Sequence, residues 1–339
     1  MIPALRLVVL YLGVSLIGSA FLGESTLHPA RTHTNEVARH AAETLNAANT
    51  PIDVSIQSNA GTTLRGWFLR PSQPNADTVL LLHGLGDNRA GMLGYAELLL
   101  RHHYSVLLPD ARAHGASDGP LATFGLLESD DIHRWAEWLR NQEDQQEVRK
   151  IAQQKTAQQK SPCIFAFGAS MGAAQILQSL SAHSDFCAVV AESPFASFRE
   201  IGYDRMGQQF GTGPWVGRTL LRPLVEFTLL YARARYKLDM DTISPEEAVA
   251  HTTVPVLLIH GAIDSNIPLR HSEQIFARSR EQKDTNHLDL WVVPEAEHLG
   301  AFGQAPTEFE RRVTTWFESH GNAPDSFKGS QEDLSFRTQ

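Results

Sequence analysis

Ser170 lies in a pentapeptide whose composition suits a nucleophile. Gly168, Ser170 and Gly172 form a G-x-S-x-G pattern, which places a serine hydroxyl on a sharp turn between a strand and a helix. An apolar run from Cys163 to Phe167 precedes the pattern, and good helix formers follow it. The two glycines leave room for the turn because neither carries a Cβ atom. The spacing therefore predicts a nucleophile elbow at Ser170, with an ordinary turn serine as the alternative.

A nucleophilic serine needs a base within hydrogen-bond reach and an acid that orients the base. Functional groups collect at the carboxyl ends of parallel strands, so polar residues directly after apolar runs are the candidates. Asp264 follows one such run and His298 follows the next. The chain order Ser170, Asp264, His298 is one of the orders in which this catalytic set occurs, and we predict these three as the catalytic residues. Glu192, which also ends an apolar run, is the rival acid.

The oxyanion that forms during acyl transfer needs two backbone N–H donors. The N–H of Met171 is expected to be one of them, because it directly follows the nucleophile. The second is expected from the loop after the apolar run Thr78–Leu82, and we predict the N–H of Leu85. A purely structural turn in this loop is the alternative, and it is compatible with the catalytic role.

These residues require a sheet that brings several strand ends together. Continuous apolar runs suit strands that are covered on both faces, as in a parallel sheet. Because such runs alternate with helical patterns, the chain predicts an α/β fold with a mostly parallel sheet and helices on both faces. A β-hairpin is predicted between Ile52 and Leu69. The segment from Gly202 to Leu238 interrupts the alternation and predicts one or two helices inserted between strands.

The composition excludes several classes of function. The chain has 339 residues, 29 basic and 38 acidic, and a net charge of −9. It contains no basic stripe, so no nucleic-acid partner is expected. Neither zinc-ligand spacing nor a Gly-rich phosphate loop occurs, so we expect no metal and no cofactor. The two cysteines, Cys163 and Cys187, are expected to be small buried side chains, with a single disulfide as the alternative.

The N-terminus carries the strongest targeting signal. After Arg6, the run from Leu7 to Leu22 is uncharged and mostly apolar. Counted from Ile2, it is long enough to cross a bilayer as a helix. It also fits a signal peptide that is cleaved at the small residues from Gly18 to Ala20. Both interpretations place the domain outside the cytoplasm, either membrane-anchored or secreted or periplasmic. A buried core helix is the third interpretation.

Five motifs together resemble those of the α/β-hydrolase superfamily, in particular bacterial serine hydrolases of the esterase or serine-aminopeptidase-like type. They are His83-Gly84-Leu85-Gly86-Asp87, Asp110-x-Arg112-x-His114-Gly115-x-Ser117, Gly168-x-Ser170-x-Gly172, Glu192-Ser193-Pro194-Phe195 and His260-Gly261-x-x-Asp264. The resemblance covers about residues 50–320 and implies an α/β-hydrolase fold with a helical cap at about residues 202–250. Ala113 departs from it, because many relatives have glycine there.

The predicted organisation has four parts: an anchor or signal peptide at residues 1–23, a linker at 24–50, the α/β-hydrolase domain at 51–320 and a flexible tail at 321–339. Residues 141–161 are rich in Gln, Lys and Glu and are predicted to form a solvated surface insertion. Because the domain looks complete without the N-terminus, deletion of residues 1–30 is expected to leave a soluble, active enzyme.

The predicted activity is that of a serine hydrolase, carboxylesterase-like, which cleaves an ester or amide through an acyl-enzyme. A serine aminopeptidase-like, acyltransferase or haloperoxidase activity on the same triad is the alternative, as is a catalytically silent binding protein. The apolar content of the segment Gly202–Tyr231 favours a small, moderately hydrophobic substrate.

Overall fold

Eight strands pair into one sheet in the computed structural model, which describes residues 2–45, 50–59, 61–141, 162–281 and 287–321. The strands are β1 (Ile52–Gln57), β2 (Thr63–Leu69), β3 (Thr78–Leu82), β4 (Ser105–Pro109), β5 (Ile164–Ala169), β6 (Val189–Glu192), β7 (Val256–Gly261) and β8 (Leu288–Val293). Their spatial order is β1-β2-β4-β3-β5-β6-β7-β8. β2 pairs antiparallel with β1 and β4, and every other pair is parallel. The predicted hairpin and mostly parallel sheet are confirmed.

Helices cover both faces of this sheet. They are α1 (Ile2–Leu27), α2 (Glu36–Glu43), α3 (Leu93–Arg101), α4 (Glu128–Arg140), α5 (Met171–Ser179), α6 (Phe198–Gln209), α7 (Pro214–Arg218), α8 (Arg222–Tyr236), α9 (Pro245–Ala250), α10 (Arg270–Arg280), α11 (Ala301–Gln304) and α12 (Pro306–His320). Side chains alternate across a strand, so in β3 Leu80 and Leu82 enter one core while Val79 and Leu81 enter the other. Both faces are thus apolar, as the continuous runs predicted.

Between β6 and β7 the chain forms four α-helices, of which α6, α7 and α8 make up the insertion and α9 leads into β7. The insertion begins earlier than the predicted Gly202, because Ser197 caps α6 by accepting a hydrogen bond from the amide of Glu200 (3.3 Å). The buried Asp204 of α6 binds Arg270 and His271 at the start of α10. These contacts hold the inserted helices against the carboxyl edge of the sheet.

The N-terminal helix α1 extends beyond the predicted boundary at residue 23. Its segment Ala4–Leu27 is long and apolar enough to cross a membrane, and most of this segment is not buried. The C-terminal half of α1 packs on α8, where Thr228 Oγ1 lies 3.3 Å from the carbonyl oxygen of Ser19. The helix then ends in the protein core, at the buried Leu27.

The range predicted as a linker, residues 24–50, is bound to the body of the protein at its start. The guanidinium of Arg31 donates to the carbonyls of Ser117 (2.6 Å) and Gly119 (2.8 Å). The hydroxyl of Thr32 donates to the carbonyl of Gly86 (2.8 Å). The interpretation of this part as a free spacer is therefore wrong, because its polar side chains are satisfied by the domain rather than by water.

A disulfide joins Cys163 and Cys187, whose Cα atoms lie 5.7 Å apart. The expectation of two unlinked cysteines is wrong. The sheet supplies the physical reason, because the amide of Cys187 donates to the carbonyl of Ile164 (2.8 Å) and so places the two cysteines side by side at the entrance to β5 and β6. The predicted insertion at 141–161 and tail at 321–339 lie outside the described residues, apart from Asn141 and Gly321.

Candidate active site

Ser170 lies on a sharp turn between β5 and α5. Its backbone has φ 54° and ψ −115°, a conformation that costs energy for any residue with a Cβ atom. The flanking glycines have little space: a Cβ added at Gly168 would lie 2.5 Å from Cα of Ala173, and one at Gly172 would lie 2.3 Å from the carbonyl oxygen of Leu82. The close approach of α5 to β5 therefore requires glycine at position 168, and its close approach to β3 requires glycine at position 172.

The three predicted catalytic side chains meet at the carboxyl edge of the sheet. Ser170 Oγ lies 2.9 Å from Nε2 of His298, and Nδ1 of His298 lies 2.7 Å from Oδ2 of Asp264. Ser170 follows β5, Asp264 follows β7 and His298 follows β8. Since a carboxylate only accepts, Nδ1 of His298 carries the proton and Nε2 is left to accept from the serine hydroxyl.

The carboxylate of Asp264 is held by several donors. Its Oδ1 accepts hydrogen bonds from the amides of Asn266 and Ile267, both at 2.9 Å. Nε2 of the fully buried His260 lies 3.4 Å from Oδ2. Burial opposes ionisation of Asp264, but hydrogen bonds from His260 and His298 outweigh it and hold its pKa below the usual range. The carboxylate is thus ionised at neutral pH.

His260 was not among the predicted site residues, although it lies beneath Asp264. Its Nε2 is 2.8 Å from the carbonyl oxygen of Ile267 and its Nδ1 is 2.7 Å from the hydroxyl of Ser272. Because the carbonyl can only accept, Nε2 carries the proton. The signal for this residue was the four-residue spacing between His260 and Asp264 in the His-Gly-x-x-Asp motif.

Glu192, the rival acid, occupies a different position. Its Oε2 accepts from the hydroxyl of Tyr95 (2.9 Å) and its Oε1 from the amide of Ala301 (3.3 Å). Within the described ranges it makes no hydrogen bond to His298. Burial raises the pKa of Glu192 to about 7. The geometry therefore places Asp264, not Glu192, beside the histidine.

The loop after β3 brings Leu85 next to Ser170. A Cβ added at Gly84 would lie 3.4 Å from the Cβ of Ser170. The N–H of Leu85 and the N–H of Met171, the first residue of α5, make no hydrogen bond within the part of the chain that the structure describes. Both donors are thus free for an acceptor near the serine hydroxyl.

The imidazole of His83 holds this loop from behind. Its Nε2 accepts from the amide of Ala111 (3.1 Å), so its Nδ1 carries a proton and donates to the carbonyl of Gly84 (2.7 Å). Burial lowers the pKa of His83, helped by the nearby His114, so the ring stays neutral. The Gly84 carbonyl belongs to the same planar trans peptide as the N–H of Leu85. Fixing the carbonyl therefore directs that N–H away from His83.

The loop after β4, which contains Ala111, is itself held by hydrogen bonds. The carboxylate of Asp110 accepts from the amides of Arg89 and Ala116, both at 2.7 Å. Ala113 in this loop adopts φ 60°, which explains why glycine is common at the position in similar motifs. Alanine tolerates this conformation at a cost of about 1 kcal/mol.

A cavity of about 290 Å³ adjoins Ser170. Leu85 and Met171 line it, together with apolar side chains of α6 and α8. Of the described residues in its walls, only Arg205 is charged. A second cavity of about 370 Å³ lies between α2 and the β1–β2 hairpin. Because neither Ser170 nor His298 reaches that one, the cavity at Ser170 is the candidate substrate pocket.

The fold also assembles a side-chain cluster that the sequence did not reveal. His133, His183 and Asp185 lie close enough together to hold a metal ion. His183 and Asp185 lie between α5 and the start of β6, whereas Ser170 follows the carboxyl end of β5, so the cluster is separate from the catalytic edge of the sheet. Asp185 is already engaged, because it binds Arg140 (2.5 Å) and Nδ1 of His133 (2.8 Å). The carboxylate of Asp185 is thus already paired, while His183 stacks on the ring of His133.

The chain is similar in sequence to a known protein family and to several bacterial proteins. The family model described as the alpha/beta hydrolase family matches residues 79–312. The uncharacterised protein YqkD of Bacillus subtilis is 26% identical over 275 residues, which are 80% of each chain. The uncharacterised protein YfhR of Escherichia coli K12 is 28% identical over 256 residues, 74% of each chain.

Solved structures share the same architecture. The esterase Pf2001 of Pyrococcus furiosus superposes with a TM-score of 0.65 at 23% identity, covering 88% of this chain and 99% of that one. The acylaminoacyl peptidase of Pyrococcus horikoshii gives a TM-score of 0.55 at 15% identity, covering 85% of this chain and 43% of that one. At these identities the likeness concerns the fold, and it confirms the α/β-hydrolase fold.

Proposed function

Because the chain belongs to the alpha/beta hydrolase family, we propose that it is a serine hydrolase that cleaves a carboxylic ester through an acyl-enzyme on Ser170. One observation carries the proposal: Ser170 Oγ lies 2.9 Å from Nε2 of His298, and Nδ1 of His298 lies 2.7 Å from Asp264. This arrangement supplies a nucleophile, a base and an acid that orients the base.

In the acylation step, Oγ of Ser170 attacks the carbonyl carbon of the ester while Nε2 of His298 takes the hydroxyl proton. The negative charge moves to the carbonyl oxygen, where the N–H groups of Leu85 and Met171 stabilise it. Asp264 stabilises the imidazolium. The tetrahedral intermediate then collapses, the bond to the alcohol oxygen breaks, and His298 gives its proton to the departing alcohol.

In the deacylation step, water replaces the alcohol in the pocket. His298 takes a proton from water as the hydroxide oxygen attacks the acyl carbon, and the same two N–H groups stabilise the second oxyanion. The bond between the acyl carbon and Ser170 Oγ breaks, and His298 returns the proton to Oγ. The products are a carboxylic acid, an alcohol and the regenerated enzyme.

The walls of the cavity favour an ester over the peptide that an aminopeptidase would bind. An aminopeptidase must hold the α-ammonium group of its substrate, which in a buried site calls for an anionic partner. No Asp or Glu is present among the described residues that line the cavity. Its single charged wall residue, Arg205, would repel an ammonium group. An uncharged, largely apolar acyl group suits these walls.

We infer that α1 anchors the protein in a membrane with the domain outside the cytoplasm. The outward side of α1 is apolar and exposed, with Ile17 at 77% and Phe21 at 78%. The disulfide between Cys163 and Cys187 is of the kind that persists in oxidising compartments and is rare in the cytosol. A signal peptide cleaved after Ala20 is the alternative arrangement.

Fluorophosphonate labelling tests the proposed function. The wild-type protein is expected to be labelled and to hydrolyse p-nitrophenyl butyrate, whereas Ser170→Ala should show neither property. An aminoacyl p-nitroanilide serves as the matched amide substrate and is expected to react far more slowly. Unchanged turnover in purified Ser170→Ala would rule out the assignment, and preference for the anilide would favour the aminopeptidase.

A further inference from the structure

The C-terminal end of α1 forms part of the wall of the cavity at Ser170. Leu22, Ser25 and Thr26 line the cavity, and Pro29 continues the wall just beyond the helix. Spacings of three and four residues put these side chains on one face of a helix. The helix that has the composition of a membrane segment is therefore also a structural part of the candidate active site.

Close packing against the inserted helix α8 fixes this wall in place. A Cβ added at Gly23 would lie 2.7 Å from the ring of Tyr231, and one at Gly18 would lie 3.2 Å from Leu224. The carboxylate of Glu24 accepts from the hydroxyls of Tyr231 (2.5 Å) and Tyr236 (2.7 Å). These close contacts and hydrogen bonds fix the position of α1 on α8.

The cavity continues between these two helices. Thr228 and Leu229 of α8 line it opposite Thr26 of α1. A small void beyond it shares all three of these residues and extends as far as Gly23 and Leu27. The cavity at Ser170 thus extends into the seam between α1 and α8, and the void beyond it is a separate space of about 10 Å³.

The opposite side of α1 faces outward and is apolar. The side chains of residues 4–10 are all exposed, so this part of α1, about 10 Å long, stands clear of the domain as far as Tyr11. This length is less than the hydrocarbon thickness of about 30 Å, so a bilayer that covers the exposed Ile17 and Phe21 must reach the level of the inserted helices.

The inserted helices offer a surface for that contact. Trp215 and Leu220 are exposed at 73% and 63%, and the hydroxyl of Tyr11 in α1 donates to the carbonyl of Leu220. The apolar outer side of α1 is therefore continuous with an exposed tryptophan and leucine, residues suited to a membrane interface. This arrangement puts the seam between α1 and α8 beside the bilayer.

We propose that the C-terminal end of α1 is a wall of the acyl-binding pocket and that the substrate is a long-chain fatty acyl ester drawn from the bilayer. The proposal rests on the proposed function and deepens it. The acyl chain lies along the seam between α1 and α8, and the ester carbonyl lies at Ser170.

Cleavage after Ala20 would remove Gly18 and Ser19, through which α1 contacts Leu224 and Thr228 of α8. The segment from Leu22 to Leu27 would then lose these contacts. Deletion of residues 1–30 would remove the wall, so the expectation that this deletion leaves the enzyme intact is not compatible with the structure.

The test uses the full-length protein in phosphatidylcholine vesicles, with p-nitrophenyl palmitate and p-nitrophenyl butyrate as probes. Leu22→Trp fills the wall position, and Ile17→Trp makes the same kind of change on the outward side of the same helix. Leu22→Trp is expected to lower the ratio of kcat/KM for palmitate to that for butyrate by about tenfold. Ile17→Trp should leave this ratio within about twofold of the wild-type value.

Titration of Ser170 with a fluorophosphonate counts the folded sites in each variant. Should Leu22→Trp fail to be labelled, the smaller change Thr26→Leu at the same wall takes its place, with the same expected fall in the ratio. An unchanged ratio in the labelled wall variant, or an equal change in Ile17→Trp, would overturn the proposal. If the wild type neither binds the probe nor cleaves butyrate, the proposed function itself fails, which is a distinct outcome.

Discussion

The protonated Nδ1 of His83 donates a 2.7 Å hydrogen bond to the carbonyl oxygen of Gly84, in the peptide whose N–H belongs to Leu85. In the proposed mechanism the fully buried ring acts on the oxyanion only through this loop. A positioning residue of this kind should matter most in the transition state, where the N–H of Leu85 meets full negative charge.

We therefore predict that His83→Ala lowers kcat for p-nitrophenyl butyrate by about 10- to 100-fold and changes KM by less than about threefold. His83→Asn, whose amide can still donate to the carbonyl of Gly84, should recover part of kcat. Steady-state kinetics on both variants measures the split, with fluorophosphonate titration as the control for folding. A rise in KM at constant kcat would contradict the assigned role.

Asp264 and Glu192 both follow strands, but only Asp264 binds His298. Asp264→Asn should lower kcat by about 10⁴-fold, because the amide favours the wrong tautomer of the histidine. Glu192→Gln should lower kcat by less than about tenfold, since glutamine can still pair with Tyr95 and the amide of Ala301. Initial rates at saturating substrate measure kcat for both variants. If Glu192→Gln were the more damaging change, the acid would be misassigned.

Glu192 should instead be visible in the pH dependence of stability. Burial raises its pKa from the ordinary 4.5 to about 7 in the folded protein. Between these pH values the folded state binds more protons than the unfolded state, so this residue makes the free energy of unfolding fall as pH rises. Glu192→Gln has no proton to lose. Its stability should therefore decrease less than that of the wild type between pH 5 and pH 8.

Urea unfolding of both proteins at several pH values, followed by tryptophan fluorescence, measures this difference. The wild-type protein and the variant share every other titrating group, so a difference between their stability curves reports on Glu192. Parallel stability curves for wild type and Glu192→Gln would show that Glu192 keeps an ordinary pKa.

The positions of Ser170, Asp264 and His298 could be predicted from sequence because each lies in the loop or turn just after an apolar strand. Parallel strands bring their carboxyl ends to one edge, so residues far apart in the chain meet without any pairwise signal. The position of Leu85 could be predicted for the same reason, because its loop follows β3. The buried position of His260 was harder to foresee, because its contacts with Ile267 and Ser272 come from the loop and helix that follow.

The disulfide and the packed N-terminus could not be predicted, for two different physical reasons. Whether Cys163 and Cys187 pair depends on the register of two neighbouring strands, which composition does not encode. The polar residues after Leu27 looked like a solvated linker. A polar side chain can be satisfied by water or by a protein carbonyl, as Arg31 is, and the sequence is the same in both cases.

The N-terminus of the mature protein gives a direct prediction about α1. Because Ser19 is fully buried against α8, we expect the chain to remain uncleaved at Ala20. The full-length protein should sediment with membranes and resist high-salt extraction, since apolar insertion is not screened by salt. N-terminal sequencing of the membrane fraction checks this. A mature N-terminus at Phe21 would establish a cleaved signal and remove most of the contact with α8.

Two glycines of α1 offer a matched pair that tests how tightly this helix is held. A Cβ at Gly23 would clash with the ring of Tyr231, whereas one at Gly13 would meet nothing within 4 Å. Both positions lie inside the helix, so valine has the same intrinsic cost at each. Gly23→Val should therefore separate α1 from α8, destabilising the protein by about 1–3 kcal/mol, while Gly13→Val should be nearly neutral.

Thermal unfolding in detergent, together with the palmitate-to-butyrate activity ratio, provides two readouts for this pair. Gly23→Val should lower both the Tm and the ratio, because the wall formed by Leu22 and Thr26 moves with the helix. Gly13→Val should change neither, since the apolar outer segment can accept a larger apolar side chain. Equal behaviour of the two variants would mean that α1 does not pack on α8 in the working enzyme, and that the seam between them does not form the acyl pocket.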